Sequence, residues 1–578
     1  MRIWSPSVLS GILDLFIGFF IMKQLTVLAC SLVLLSCAKV GSDDSKSLPE
    51  SDIPDGNVKV AVQADRKTML RNPLSGWVIY APLMEDVDDF WNKYDHFNSS
   101  AGEVKVSDYA TVLYLRGSWT DFNPEKDVYL WDDDIDVMKY PKAVSLRKLE
   151  EGASERGLKL AFTLKTDSRD ANSFCTPEYV RQEMIAAHGG NPDKPLEDYY
   201  VNSDKTGQVH TDLGFFVFSL GSQPRYYWSP YPDDPVFQKW YEVFIKALAA
   251  EYNDPDRTMF ISGLGMGLWG EYHTCIYSTL DETPRQSVFE WVTDLYVNAF
   301  DKIPVVTNYH KLVGSTKGSG GADPLTPVLL ESAIAKGFCM RHDAFGMKQG
   351  YGYGDWEREF IANWTNKVPV LGEGGWVQGS HDYSCDYPDV RSLREGEFNE
   401  MHGAHCCMMD LRYSANISNG ETYSWFNDAF DLVTRFIEEG CYRVYPDELS
   451  YPEICEKGNT YIIQHRWLNL GHSYCPTNIR QYKDRFKVSF ALLDKKTGTP
   501  VHIFQDEQAH PHDWVGGRKA YDFKIEIPDI SSGHSDSQYE WGVGITDAAC
   551  GDKIGIRLGA KGRYNDAGWL ILGNVEVK

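Results

Sequence analysis

The sequence predicts an eight-stranded α/β barrel of the (β/α)8 TIM class, followed by an antiparallel β-sandwich. Three observations predict it. From about residue 68 to 440, apolar strand-like runs alternate with amphipathic helical stretches, and such alternation implies a parallel sheet. The runs number eight, which over this length implies closure into a barrel. After about residue 445 the texture changes to short alternating strands separated by Gly, Asp and Asn turns. A chain of 578 residues has room for about two or three domains.

In chain order, the first 37 residues are not part of the fold. Met22-Lys23 opens a short charged region, the stretch Leu25 to Leu35 is apolar, and Leu34-Leu35-Ser36-Cys37 closes it. This resembles a bacterial lipoprotein signal peptide, in which the cysteine, here Cys37, is lipidated and becomes the mature N-terminus. Residues 1–21 precede the better start at Met22. A single membrane span from Leu9 to Leu35 is the competing reading, but Lys23 would put a charge inside the bilayer. Residues 38–67 read as a flexible tether rich in Ser, Asp, Gly and Pro. The stretch Ser42-Asp43-Asp44 loosely resembles the acidic export signal of surface lipoproteins in Bacteroidetes-type bacteria. These features imply an exported, membrane-anchored protein at the outer membrane, the cell surface or in the periplasm.

The barrel is expected over 68–448. Its strands are Gly76–Ala81, Ala110–Arg116, Leu158–Lys165, Met259–Gly267, Pro304–Tyr309, Gly337–His342 and Val368–Glu373, with an eighth at Ser414–Ser418 or Tyr423–Trp425. Helices are expected at Tyr140–Arg156, Pro235–Tyr252, Arg285–Phe300, Pro327–Ala335, Trp356–Trp364 and Glu395–Leu411. Asp234-Pro235 supplies a cap and a first-turn proline for the helix Pro235–Tyr252. The stretch Thr166 to Pro232 reads as a loop excursion beside the site. The sandwich is expected over 449–578, with strands Tyr461–Trp467, Phe486–Leu493, Tyr521–Ile527, Tyr539–Thr546, Ile554–Gly559 and Trp569–Val577.

Two glutamates carry the chemistry. Glu271 follows the run Met259 to Gly270, and Glu373 ends Val368-Pro-Val-Leu-Gly. Both fall at the C-terminal end of a predicted strand, where a β/α barrel places its reactive groups. Two carboxylates facing one cleft are the minimum equipment for glycoside hydrolysis. The opposing reading makes one or both structural, ion-paired to arginine. Polar triplets at the ends of the fifth and sixth strands, Asn308-Tyr309-His310 and Arg341-His342-Asp343, add Asn308, His310 and His342 as substrate contacts.

The arrangement resembles the clan A glycoside hydrolases, whose glutamates sit on barrel strands four and seven. It resembles more closely a group of uncharacterised bacterial lipoprotein domains of the Bacteroidetes type, with a clan-A-like barrel and a C-terminal β-sandwich. Five stretches carry this: Arg71-Asn-Pro-Leu-Ser-Gly-Trp77, Leu113 to Glu125, Gly267-Leu-Trp-Gly-Glu271-Tyr-His273, Arg466-Trp-Leu-Asn-Leu-Gly471 and Trp569 to Val577. The stretch Leu113 to Glu125 is similar to the strand-two segment of family 42-type β-galactosidases, where an Arg and a Trp face the site. The resemblance implies Glu271 as acid/base, Glu373 as nucleophile, retention of configuration, and Arg116 and Trp119 in the site. Trp269 and Trp376, beside the two glutamates, join them as substrate contacts. Clan A members usually carry Asn immediately before the acid/base, and here that position is Gly270. His273 and Asn308 are the candidates to replace its contact with the sugar 2-hydroxyl; His273 would share a face with Trp269 and Glu271 if the chain stays extended there. Asn416, on the first choice of eighth strand, completes the set.

The bulk numbers exclude other classes. A net charge of −25 argues against nucleic acid, and against a polyanionic ligand unless a local basic patch exists. Twelve cysteines, ten of them beyond Cys37, include no CxxC pair. Cys406 and Cys407 are expected side by side on a helix. His402 and His405 are three apart but form no metal-protease motif, so no metal is expected. No phosphate-binding glycine loop, dinucleotide fingerprint or serine nucleophile elbow occurs, so no cofactor is expected. The partner implied is carbohydrate, with the membrane reached only through the N-terminal lipid. The alternatives to a hydrolase are a non-catalytic surface glycan-binding lipoprotein on a degenerate barrel, and a structural lipoprotein without a sugar site.

Overall fold

A computed structural model describes residues 53–82, 87–170, 173–220, 225–347, 354–377, 384, 386–412, 420–530 and 538–578. The expected signal peptide, Cys37 and Asn416 lie outside the described residues. No described helix is long and apolar enough to cross a membrane.

Eight strands close a barrel in the circuit β4-β5-β6-β7-β8-β1-β2-β3. They are β1 (Gly76–Pro82), β2 (Ala110–Ser118), β3 (Lys159–Lys165), β4 (Thr258–Gly265), β5 (Val305–Asn308), β6 (Cys339–Phe345), β7 (Val370–Gly374) and β8 (Cys406–Asp410). All eight pairings are parallel. Alternate residues point opposite ways. Trp77, Ile79, Leu113 and Leu115 pack with the helices, in one core with Leu149, Phe244 and Val292. Val78, Val112, Leu371 and Met408 belong to a second core that continues into the C-terminal sheets.

Seven expected strands and all six expected helices have counterparts at these places, and the helix Pro235–Tyr252 has its expected bounds. Asp234 caps it by accepting from the Val236 and Phe237 N–H groups. The eighth strand differs. It is Cys406–Asp410, inside the segment expected to be helical; the helix stops at Gly403. Cys406-Cys407-Met408-Met409 has no polar partner at helical spacing because every residue of this strand is buried. Cys406 and Cys407 are therefore neighbours on a strand and point to opposite faces. Tyr423–Trp425, the other choice, lies in the helix Glu421–Asn427.

The excursion after β3 is an ordered insertion. It holds the helix Glu178–Ala187 and an antiparallel sheet of Gln208–His210, Phe215–Leu220 and Arg225–Pro230. Asn57–Ala61, expected within the tether, forms a strand paired with Val444–Pro452. That partner strand runs across residues 448 and 449 and pairs onward with Thr460–Asn469. The C-terminal region has two main sheets, one of four strands and one of six. Leu449, Ile463 and Trp467 of the first share a core with Val488, Phe490 and Trp541 of the second. No disulfide joins the described cysteines, and all are buried except the half-buried Cys550.

Candidate active site

The loop after β4 sets the site. The chain does not stay extended there. It doubles back: the Leu264 N–H donates to the Gly270 carbonyl (3.1 Å), the Tyr272 N–H to that of Met266 (2.8 Å), and Leu268 bridges His273. Trp269, Gly270 and Tyr272 all have positive φ, at 57°, 76° and 59°. A Cβ at 270 would stand 2.0 Å from the Leu164 carbonyl oxygen. No side chain fits there, asparagine included, so the glycine is dictated by the turn. The extended face expected for Trp269, Glu271 and His273 is corrected accordingly, although the turn still brings the Trp269 and His273 rings to 5.7 Å.

Glu373 arrives on β7 with no exposure, and Glu271 is 7% exposed. Oxygens of Glu271, Glu373 and Asp343, the last on β6, all lie within 4.8 Å of one another. Three guanidinium groups hold them. Arg116 on β2 reaches Glu373 at 2.9 Å and Glu271 at 3.3 Å. Arg341 on β6 pairs with Glu373 and lies 3.5 Å from Glu271. Arg412, just past β8, also pairs with Glu373 and stands 3.7 Å from Asp343. Below them, the Tyr80 hydroxyl accepts from Arg341 at 2.6 Å, and the Arg341 guanidinium lies over the Tyr114 ring. Asp410 accepts from the Gly374 N–H at 2.8 Å and so fixes the turn after Glu373.

The surroundings of the two glutamates differ. Burial, followed by the nearby charge of Asp343, pushes Glu271 up to about 7, against the opposing pull of the arginines. Glu373 has Arg116, Arg341 and Arg412 in direct contact, and opposite charges at this range favour the carboxylate form. Burial also lifts Asp410 to about 6. The three acids are close enough to share a metal ion, but the arginines already supply positive charge at the same oxygens and would repel a second cation.

A cavity of about 290 Å³ opens beside Glu271. Trp269, His273, Asn308, His310, His342 and Asp343 help to line it; Glu373 is not in its wall. Burial keeps the imidazoles neutral, with His273 and His342 lowered to about 4 and His310 to about 3. The Leu312 N–H donates to Nδ1 of His310 (3.3 Å), leaving the Nε2–H to donate to the Glu271 carbonyl (3.4 Å). The loop after β5 thus braces the backbone at Glu271. The Asn308 Oδ1 is buried with no hydrogen-bond partner among the described residues. A buried orphan acceptor is costly unless something donates to it.

Of the residues expected here, Glu271, Glu373, Arg116, Trp269, His273, Asn308, His310 and His342 come together. Trp119 does not. It begins a short helix at the end of β2 and is wholly buried among Tyr179, Phe237, Tyr241 and Phe244, its indole N–H bonded to Asn123. Trp376 follows β7, and the Arg412 guanidinium lies 5.2 Å from its ring centre. Arg341, Asp343, Asp410 and Arg412 were missed as site residues. The first two stand in the triplet that lies within β6, and the last two are hidden by the misplaced eighth strand. His402 and His405 stack on His472, at 3.4 and 4.1 Å between centroids. Imidazole lone pairs lie in the ring plane, so parallel stacked rings do not converge on one ion.

No family model matches the chain, and no curated protein matches it. Solved structures do. Endo-glycoceramidase II from Rhodococcus sp. is 11% identical with a TM-score of 0.35, covering 81% of this chain and 99% of that one. A GH138 enzyme targeting pectin rhamnogalacturonan II is 10% identical, with a TM-score of 0.35 over 64% of this chain and 39% of that one. An intracellular xylanase from Thermoanaerobacterium saccharolyticum is 8% identical, with a TM-score of 0.33, covering 58% of this chain and 85% of that one. The fold assignment rests on the closed circuit of eight parallel strands.

Proposed function

We propose that the protein is a retaining glycoside hydrolase acting on a neutral or weakly charged polysaccharide or oligosaccharide, with Glu271 as acid/base and Glu373 as nucleophile. One observation carries the reading: two glutamates with oxygens within 4.8 Å at the C-terminal mouth of the barrel, Glu271 raised by burial and Asp343, and Glu373 in contact with three guanidinium groups. Retaining pairs stand about 5–5.5 Å apart. Pushing two carboxyl groups apart in pKa is how acid and nucleophile are told apart.

In the first step a Glu373 oxygen attacks the anomeric carbon and the glycosidic C–O bond breaks. The Glu271 proton passes to the leaving oxygen. In the second, water gives its proton to Glu271, its oxygen bonds to the anomeric carbon, and the ester to Glu373 breaks. Asn308 and His273 are placed to meet a sugar hydroxyl as charge develops. Incubating the purified protein with a panel of plant and host glycans, with detection of released sugars, tests this. No product from any of them, together with saturable binding to one, would replace the reading by another.

That other reading is a surface glycan-binding protein on a barrel that has lost turnover. It is favoured by the complete burial of Glu373 and its place outside the cavity wall. In either case, we propose delivery to the membrane as a lipoprotein through Cys37. A Cys37→Ser form is expected to lose lipid labelling and membrane association; labelling that persists would remove the assignment.

A further inference from the structure

The other end of the barrel has a cavity of its own. It holds about 240 Å³ between the start of β3, β4 and β5 and the C-terminal sheets, on the face opposite Glu271. Five cations line it: Arg71, Lys159, Arg485, Lys553 and Arg557. Only two acids do, Asp256 and Asp547. Asp547 is taken by Arg485, which it meets through both oxygens. The remaining four cations face one carboxylate, Asp256.

Their hydrogen bonds do not neutralise them. Arg71 donates to the backbone carbonyls of Ala110 and Ser107, and Lys159 to that of Pro255. Lys553 and Arg557 are exposed and have no ion-pair partner among the described residues. The cations also act on one another. Burial lowers both Arg71 and Lys159; Asp108 opposes this at Arg71 and Asp256 at Lys159, while the like charges of Arg557 and Arg485 push them the same way as burial. Even in a chain of net charge −25, concentrating cations in excess of acids at one joint is unfavourable unless an anion offsets them. A further observation points to a ligand. Thr258, also in this wall, is 1% exposed, and its hydroxyl has no hydrogen-bond partner among the described residues.

We propose that this cavity binds a tetrahedral oxyanion, phosphate or sulfate, either free or as the charged group of a small ester. Lys553 and Arg557 hold it from the sandwich side, and Arg71, Lys159 and the Thr258 hydroxyl from the barrel side. The volume is many times the roughly 10–15 Å³ that one water needs, enough for the anion and a partial hydration shell. Guanidinium and ammonium donors with a hydroxyl are the usual partners of such anions. Because both domains supply ligands, the anion would tie the sandwich to the foot of the barrel. This proposal is independent of what the barrel's other end does.

The test is thermal unfolding and isothermal titration of the whole ectodomain with inorganic phosphate, inorganic sulfate and glucose 6-phosphate. Ionic strength is held constant with sodium chloride. The expected result is saturable binding and a Tm about 3 °C above that in chloride. The gain should fall by more than half in a Lys553→Gln/Arg557→Gln variant, whose side chains are exposed and whose loss spares the fold. Tighter binding of the sugar phosphate would name an ester as the ligand, and equal binding a free ion. General salting-out stabilisation raises wild type and variant alike. An equal rise in both proteins, or no saturable heat from any of the three anions, overturns the proposal. Should the variant fold poorly, Lys553→Gln alone with the titration readout decides it, since unchanged affinity would equally overturn it.

Discussion

The two ends of this barrel treat charge in opposite ways. At the C-terminal end, three arginines meet Glu271, Asp343 and Glu373, in contacts that leave Glu373 wholly buried. At the N-terminal end, beside the Arg485–Asp547 pair, four cations and a single acid, Asp256, line the cavity. Barrel geometry does not explain the difference, because the same strands run through both ends. It comes from which residues the two ends of the strands and the segments beside them present. The first pattern tunes carboxyl groups against one another and suits chemistry. The second leaves a field unanswered and suits an anion.

The contrast is sharpest at Glu373. A Glu373→Gln protein should keep its fold, since the change is nearly isosteric, and lose roughly 10⁴-fold or more in kcat, as removal of a nucleophile does. Folded protein with unaltered turnover would make the C-terminal cluster structural, and the comparison would collapse to two ion-pair networks. Glu271→Ala is expected to cost about 10²- to 10⁴-fold on substrates with poor leaving groups, the usual worth of a positioned acid. Activated aryl glycosides should lose less in the first step, and azide should restore part of the second. Equal loss across leaving groups would remove the acid/base role.

A smaller effect is expected at Asn308, whose buried Oδ1 awaits a donor. Asn308→Ala should lower kcat and kcat/KM together by about 10- to 100-fold, the size of a hydrogen bond that strengthens with charge. A rise in KM alone would mean a contact made equally in ground and transition states. The smallest effect is a pH shift. Glu271 must be protonated to donate, so activity should fall as pH rises through about 7. Asp343 is a like charge that holds Glu271 up, so Asp343→Asn should move that limb to lower pH. A limb that stays put, or moves upward, would show that burial alone sets the acid.

Much of this was legible in the residues, and what was not has a physical reason. Strands β1 to β7 announced themselves as apolar runs bounded by glycine, proline or polar residues, because burial on both faces demands continuous hydrophobicity. The strand β8 did not. Cys406–Asp410 follows directly on a helix, and a short apolar run in that position has no periodicity to separate it from one more helical turn. That error hid Asp410 and Arg412 and put Asn416 in their place.

The sequence by itself determined the barrel, the antiparallel sheets after it, and the two glutamates at strand ends, since hydrophobic period and glycine punctuation are local properties. Trp119 shows the limit. Its place after β2 suggests a sugar contact, but its burial depends on four aromatic side chains between 60 and 125 residues away in the chain. Only the tertiary structure decided that Gly270 is required by a carbonyl of the neighbouring strand, that Asp343 joins the glutamates, and that cations from residue 71 to residue 557 surround one cavity. Each of these is a meeting of segments far apart in the chain, and such meetings are set by packing rather than by any local pattern.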